Sequence, residues 1–75
     1  MQISSKDLRF LIKVNGETKL IPCSFSILNL LERYQINKDR VVIELNKKIL
    51  TKEEFVSTIL KENDELELIT FVGGG

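Results

Sequence analysis

The 75-residue chain has no histidine, one cysteine and one proline, and its eleven basic side chains are matched by eleven acidic ones. Each shortage closes off a class of function. Without histidine, no Cys–His or Ser–His pair can form within the chain to activate a nucleophile. Zinc would have only Cys23 and carboxylates to hold it, far from the usual His/Cys donor sets. One cysteine cannot staple a small domain internally, which fits a reducing compartment. A formal net charge of zero supplies no electrostatic footprint for nucleic acid or an anionic membrane. No apolar run approaches the roughly 20 residues needed to cross a bilayer. Residues 1–7 are short and polar and lack the apolar centre of a secretion signal. Of four glycines only Gly16 is internal, so there is no glycine-rich loop to cradle a phosphate. As a stand-alone enzyme the chain is poorly equipped, and neither a metal nor a stably bound cofactor is expected.

What is present reads as one small soluble domain. Forty-three per cent of the residues are hydrophobic and 29% charged, well away from disordered composition. A chain of this length buries only about 60% of its unfolded surface, enough to fold alone. Residues 8–14 alternate with period two: Leu8, Phe10, Ile12 and Val14 face one side and Arg9, Leu11 and Lys13 the other, a half-buried strand. Asn15-Gly16 is a strong hairpin signal, and residues 18–22 return, with Pro22 closing the strand or lying on an edge. Ser24 or Ser26 caps a helix whose stripe is Ile27, Leu30, Leu31 and Tyr34, with Ile36 tucked beneath. Residues 41–45 form a third strand, with Val41, Ile43 and Leu45 on one face and Val42 and Glu44 on the other. A turn at residues 46–48 leads to a short strand at Ile49-Leu50. Thr51 and Glu54 carry a capping-box spacing that starts a helical turn, which Phe55, Ile59 and Leu60 anchor. Residues 65–71 alternate again, with Leu66 and Leu68 inward.

That order predicts an α+β, ubiquitin-like β-grasp: a mixed sheet of about five strands crossed by one main helix, with a short helical turn. The last strand lies centrally, parallel to the first, because the intervening chain supplies the crossover such a pairing needs. The domain is expected over residues 1–72, with 1–7 as an N-terminal extension. Gly73, Gly74 and Gly75 then form a thin, flexible arm, since glycine without a Cβ cannot serve a packed core but can thread a channel that rejects side chains. The bland alternative is a frayed end.

The chain resembles the ThiS family, the sulfur carriers of thiamine biosynthesis, over roughly residues 10–75. Three stretches carry the likeness. Ser26-Ile27-Leu28-Asn29-Leu30-Leu31 is similar to the family's capped helix, and Val41-Val42-Ile43-Glu44-Leu45-Asn46 to its valine-rich strand ending in Asn. The most specific is residues 60–68 closing in Phe71-Val72-Gly73-Gly74-Gly75. The chain departs from the family pattern at Lys47, where a glycine is usual, and at Thr51-Lys52, where Pro-Arg is common.

The resemblance implies chemistry at the carboxylate of Gly75. A C-terminal carboxyl has a pKa of about 3.3–3.7, so at neutral pH it is an anion and a poor electrophile. Adenylation masks the charge and supplies AMP as leaving group. Attack by sulfide or a persulfide then gives a thiocarboxylate. The implied partners are a ThiF-type adenylating enzyme that uses ATP, a sulfur donor such as a cysteine desulfurase persulfide, and a ThiG-type thiazole synthase. The chain itself is then a cosubstrate, not an enzyme, in the cytoplasm or a plastid stroma. Five residues from Thr70 reach at most ~17 Å, enough to enter a partner's active site. Leu11, Val42, Ile69 and Phe71, with Val72 beside them, point away from the helix. Strand order is expected to group them as an apolar docking patch, although ordinary surface apolarity accounts for such residues too. Three other readings stay open: the small subunit of molybdopterin synthase, whose usual ending has prolines before two glycines, a ubiquitin-like modifier joined to lysines, and a plain interaction module. Cys23 reads as a small half-buried residue, Glu53 and Glu54 as capping and solvation, Lys47-Lys48 as a solvated turn, and Asn15-Gly16 as turn chemistry alone.

Overall fold

The computed structural model of the protein describes residues 8–71. Strand β1 spans Arg9–Val14 and β2 Glu17–Pro22; helix α1 spans Ile27–Arg33; β3 is Val41–Leu45 and β4 Lys48–Ile49; helix α2 is Lys52–Ser57 and β5 Glu65–Thr70. The five strands form one sheet in the order β2-β1-β5-β3-β4. The expected parallel pairing holds: β5 runs beside β1 with Lys13 opposite Glu65 and Val14 opposite Leu66. All other pairs are antiparallel. The tail residues Val72, Gly73, Gly74 and Gly75, and the proposed extension at 1–7, lie outside the described residues.

Period-two alternation places one face of each strand against the helices. Ile12, Ile21, Ile43 and Leu66 from the sheet meet Ile27, Leu30 and Leu31 of α1, with Leu60 and Phe55 closing one end, all nearly solvent-free. Ser26, not Ser24, caps α1. Its hydroxyl accepts from the Asn29 N–H while the Asn29 side chain accepts from the Ser26 N–H, each at 3.0 Å. The helix ends in a Schellman arrangement: Gln35 adopts φ +58°, and Ile36 donates its N–H to the Leu31 carbonyl at 2.8 Å. Thr51 and Glu54 form the capping box expected at α2.

Four details differ from the sequence reading. Strand β4 begins one residue earlier, at Lys48, because Asn46 and Lys47 close a two-residue hairpin with both φ positive, +51° and +72°. Ile59 points outward, 48% exposed, and leaves Leu60 to anchor the segment. Tyr34 caps α1 from its exposed rim and does not extend the buried stripe. Residues Lys38–Arg40 form a 3-10 turn, capped by the Asn37 side chain, that the apolar pattern did not announce.

Candidate functional site

The sequence places its distinctive chemistry after β5, so the geometry that matters is how β5 is entered, held and left. It is entered through a locked turn. Asn46 donates from Nδ2 to the nearly buried Asp64 carboxylate at 3.0 Å and accepts from the Glu65 N–H at 3.0 Å, while Asp64 also accepts from the Lys61 N–H at 2.7 Å. From there β5 is bonded on both sides. Lys13 and Asn15 donate their N–H groups to the carbonyls of Asp64 and Leu66 at 2.9 and 2.8 Å. On the opposite edge the pairing with β3 runs from Leu45–Leu66 to Val41–Thr70. It extends one residue further, where the Phe71 N–H donates to the Arg40 carbonyl at 2.8 Å.

The sheet face turned away from the helices carries the expected docking residues, but not in one group. Val42 and Ile69 are direct cross-strand partners. Ile69 is 54% and Phe71 56% exposed, and the Val42–Ile69 pair lies just before Phe71, the last described residue. Leu11 is elsewhere. It pairs with Leu20 of β2 and its carbonyl accepts from the Asn63 N–H at 2.8 Å. Asn63 lies six residues before Ile69, which at about 3.3 Å per residue is roughly 20 Å along the sheet. Strand order alone suggested one patch; the parallel register sends Leu11 to the opposite end of β5, where it makes a separate apolar pair with Leu20.

A polar belt separates the two apolar areas. Glu44 lies directly opposite Glu67, an unfavourable like-charge pairing, and both line a surface depression with Glu65, Asn46 and Lys47. Sequence reading missed this belt, although the alternation of residues 41–45 and 65–71 contained it once register was known. Among the described residues no group of three or more His, Cys, Asp or Glu side chains gathers to hold a metal. Cys23 is half-buried between β2 and α1. Among the described residues two carboxyls are held below their ordinary range: Asp39, next to the Arg40 carbonyl that receives the Phe71 N–H, through its bond to the Lys52 ammonium at 2.8 Å, and Glu54, through the Thr51 N–H.

A mixed sheet folded over one main helix, with a central closing strand that leads directly into a glycine-ended terminus, defines the ubiquitin-like β-grasp class. Comparisons with known proteins narrow this. The model of the ThiS family matches residues 8–75. A protein of Bacillus subtilis named sulfur carrier protein ThiS is 35% identical over 66 residues, 87% of this chain and all of that one. The ycf40 protein of Pyropia yezoensis is 42% identical over 64 residues, 85% of this chain and 90% of that one. The crystal structure of a ThiS protein from Geobacter metallireducens superposes with a TM-score of 0.74 at 30% identity, covering 88% of this chain and all of the other. The chain also matches 19% of a thiazole synthase from Paramagnetospirillum magneticum, at 29% identity over 62 residues. The chain belongs to the ThiS family.

Proposed function

We propose that the protein is a sulfur carrier for thiazole formation in thiamine biosynthesis, working through the carboxylate of Gly75. The observation that carries this reading is the family match, which spans residues 8–75 and so takes in the glycine tail. The fold supports it: the last strand ends at Thr70, and after Phe71 and Val72 only Gly73, Gly74 and Gly75, which carry no side chains, precede the reacting carboxylate.

A ThiF-type enzyme joins the Gly75 carboxylate to the α-phosphate of ATP and releases pyrophosphate. Sulfide attacks the acyl carbon and AMP leaves, giving the thiocarboxylate; if a cysteine desulfurase persulfide attacks instead, a thiol must then reduce the S–S bond. The thiocarboxylate is the nucleophile delivered to a ThiG-type thiazole synthase. That partner is supported by proteins named thiazole synthase in which a domain like this one makes up about a fifth of the chain, since domains joined in one polypeptide commonly act together. The protein is a cosubstrate and performs no catalysis itself; its working compartment is the cytoplasm or a plastid stroma. Val42, Ile69 and Phe71 form the docking face, and Val72, which follows Phe71 in the sequence, is assigned to the same role. Such a face is needed because ordering a glycine tail on binding costs affinity. Leu11 lies outside this face and contributes at most through its own distant pair with Leu20. Deleting Gly75 is the test: the variant loses ATP–pyrophosphate exchange with the activating enzyme and keeps its thermal transition. Exchange at the wild-type rate in that variant rejects the proposal.

A further inference from the structure

Strand β5 outlasts β1. In the parallel ladder the peptide groups of Leu66 and Leu68 face the β1 side. Leu66 is met by the Asn15 backbone N–H at 2.8 Å, but the chain then turns away through Asn15 and Gly16 into β2 and offers Leu68 no backbone. The Asn15 side chain fills the gap. Its Oδ1 accepts from the Leu68 N–H at 2.7 Å and its Nδ2 donates to the Leu68 carbonyl at 3.3 Å, across 53 residues of sequence. A primary amide carries the same donor and acceptor pair as a peptide group, so it stands in for the strand residue that β1 lacks.

Turn chemistry alone does not demand this. Asn15 and Gly16 have φ +51° and +82°, and glycine or aspartate at the first position serves such a hairpin as well. Only asparagine brings both a donor and an acceptor to Leu68. We propose that Asn15 is a positioning residue: its amide fixes the far end of β5 and thereby the placement of Ile69 and Phe71 and the point from which residues 72–75 continue. The consequence for activity rests on the carrier reading; the clamp itself does not.

Two variants separate clamp from turn. Asn15→Gly keeps the turn and removes both bonds to Leu68. Asn15→Asp keeps the turn and the Leu68 N–H bond but sets a carboxylate against the Leu68 carbonyl. Native-state amide exchange reads the clamp directly: in Asn15→Gly the Leu68 amide exchanges about tenfold faster or more, while the amides of Ile12 in the β1–β2 ladder and of Leu31 in α1 change less. Steady-state kinetics with an ATP-dependent adenylating enzyme read the consequence. KM for Asn15→Gly rises roughly five- to tenfold, the scale of one net hydrogen bond, with kcat little changed, and Asn15→Asp falls between it and wild type. Unchanged Leu68 exchange overturns the clamp. Faster exchange with an unchanged KM overturns the positioning role. Wild-type protein that accepts no adenylate rejects the carrier reading instead, and the Leu68 amide still decides whether Asn15 holds the strand.

Discussion

Replacing Lys47 by glycine should stabilise the protein. The two tight hairpins are built alike, Asn15-Gly16 with φ +51° and +82° and Asn46-Lys47 with φ +51° and +72°. The first places glycine where the second places a lysine. For a residue with a Cβ the left-handed region costs roughly 1–2 kcal/mol. Glycine removes that cost but frees the unfolded chain, which returns about 0.4–1 kcal/mol of the gain. The net expectation for Lys47→Gly is a stabilisation of about 0.5–1 kcal/mol, or a Tm increase of about 2–8 °C for a domain of this size. The Lys47 ammonium shares a surface depression with Glu44, Glu65 and Glu67. Measurements at about 0.15 M salt, where the Debye length is about 8 Å, keep the loss of that exposed charge small. The mirror substitution, Gly16→Lys, should destabilise. A Cβ at Gly16 meets nothing within 4 Å, so its cost would be purely conformational. Urea denaturation followed by circular dichroism gives both values. A midpoint for Lys47→Gly equal to or below wild type, at unchanged slope, refutes the claim that backbone strain outweighs what the lysine contributes.

Four further outcomes follow from the structure. Thr51→Ala removes the hydroxyl that caps α2 and should cost about 1 kcal/mol in denaturant midpoint analysis. Glu54 is held below its ordinary pKa by the Thr51 N–H and Asp39 by Lys52. Both contribute stability above their unfolded-state pKa values and lose it as pH falls through the lowered folded-state ones. Glu54→Gln should therefore flatten the acid limb of a stability–pH curve, and an unaltered limb counts against that contribution. Ile69→Asp should weaken binding to the adenylating enzyme by at least 1 kcal/mol, as expected for a central contact, and clearly more than Leu11→Asp; equal losses in titration calorimetry would dissolve the distinction between the two apolar areas. Ile43→Val trims one methyl from a fully buried site and should cost about 0.5–1.5 kcal/mol in thermal or denaturant unfolding.

Residues whose partners are dictated by their own neighbours were legible in the sequence. The alternation of Phe10, Ile12 and Val14, the Thr51–Glu54 spacing and the stripe of Ile27, Leu30 and Leu31 each contain their structure within a few positions. The candidate site was less legible, because it depends on pairings between residues far apart in the chain. Strand order suggested that Leu11 and Ile69 are neighbours; the register of the parallel pair, which no local pattern encodes, separates them by most of β5. Asn15 looked like a turn residue because its φ is local, while its bonds to Leu68 reach across nearly the whole domain. Lys47 and Gln35 adopt left-handed backbone without the glycine that would have announced it, so β4 was read one residue late.

The carrier account stands on one atom exchange at the end of the chain. Incubating the protein with a ThiF-type enzyme, ATP and sulfide and then measuring its intact mass tests that exchange directly. The account predicts a gain equal to replacing one oxygen by sulfur, which fragmentation assigns to Gly75. An unchanged mass, from an enzyme shown active on another carrier, would contradict it.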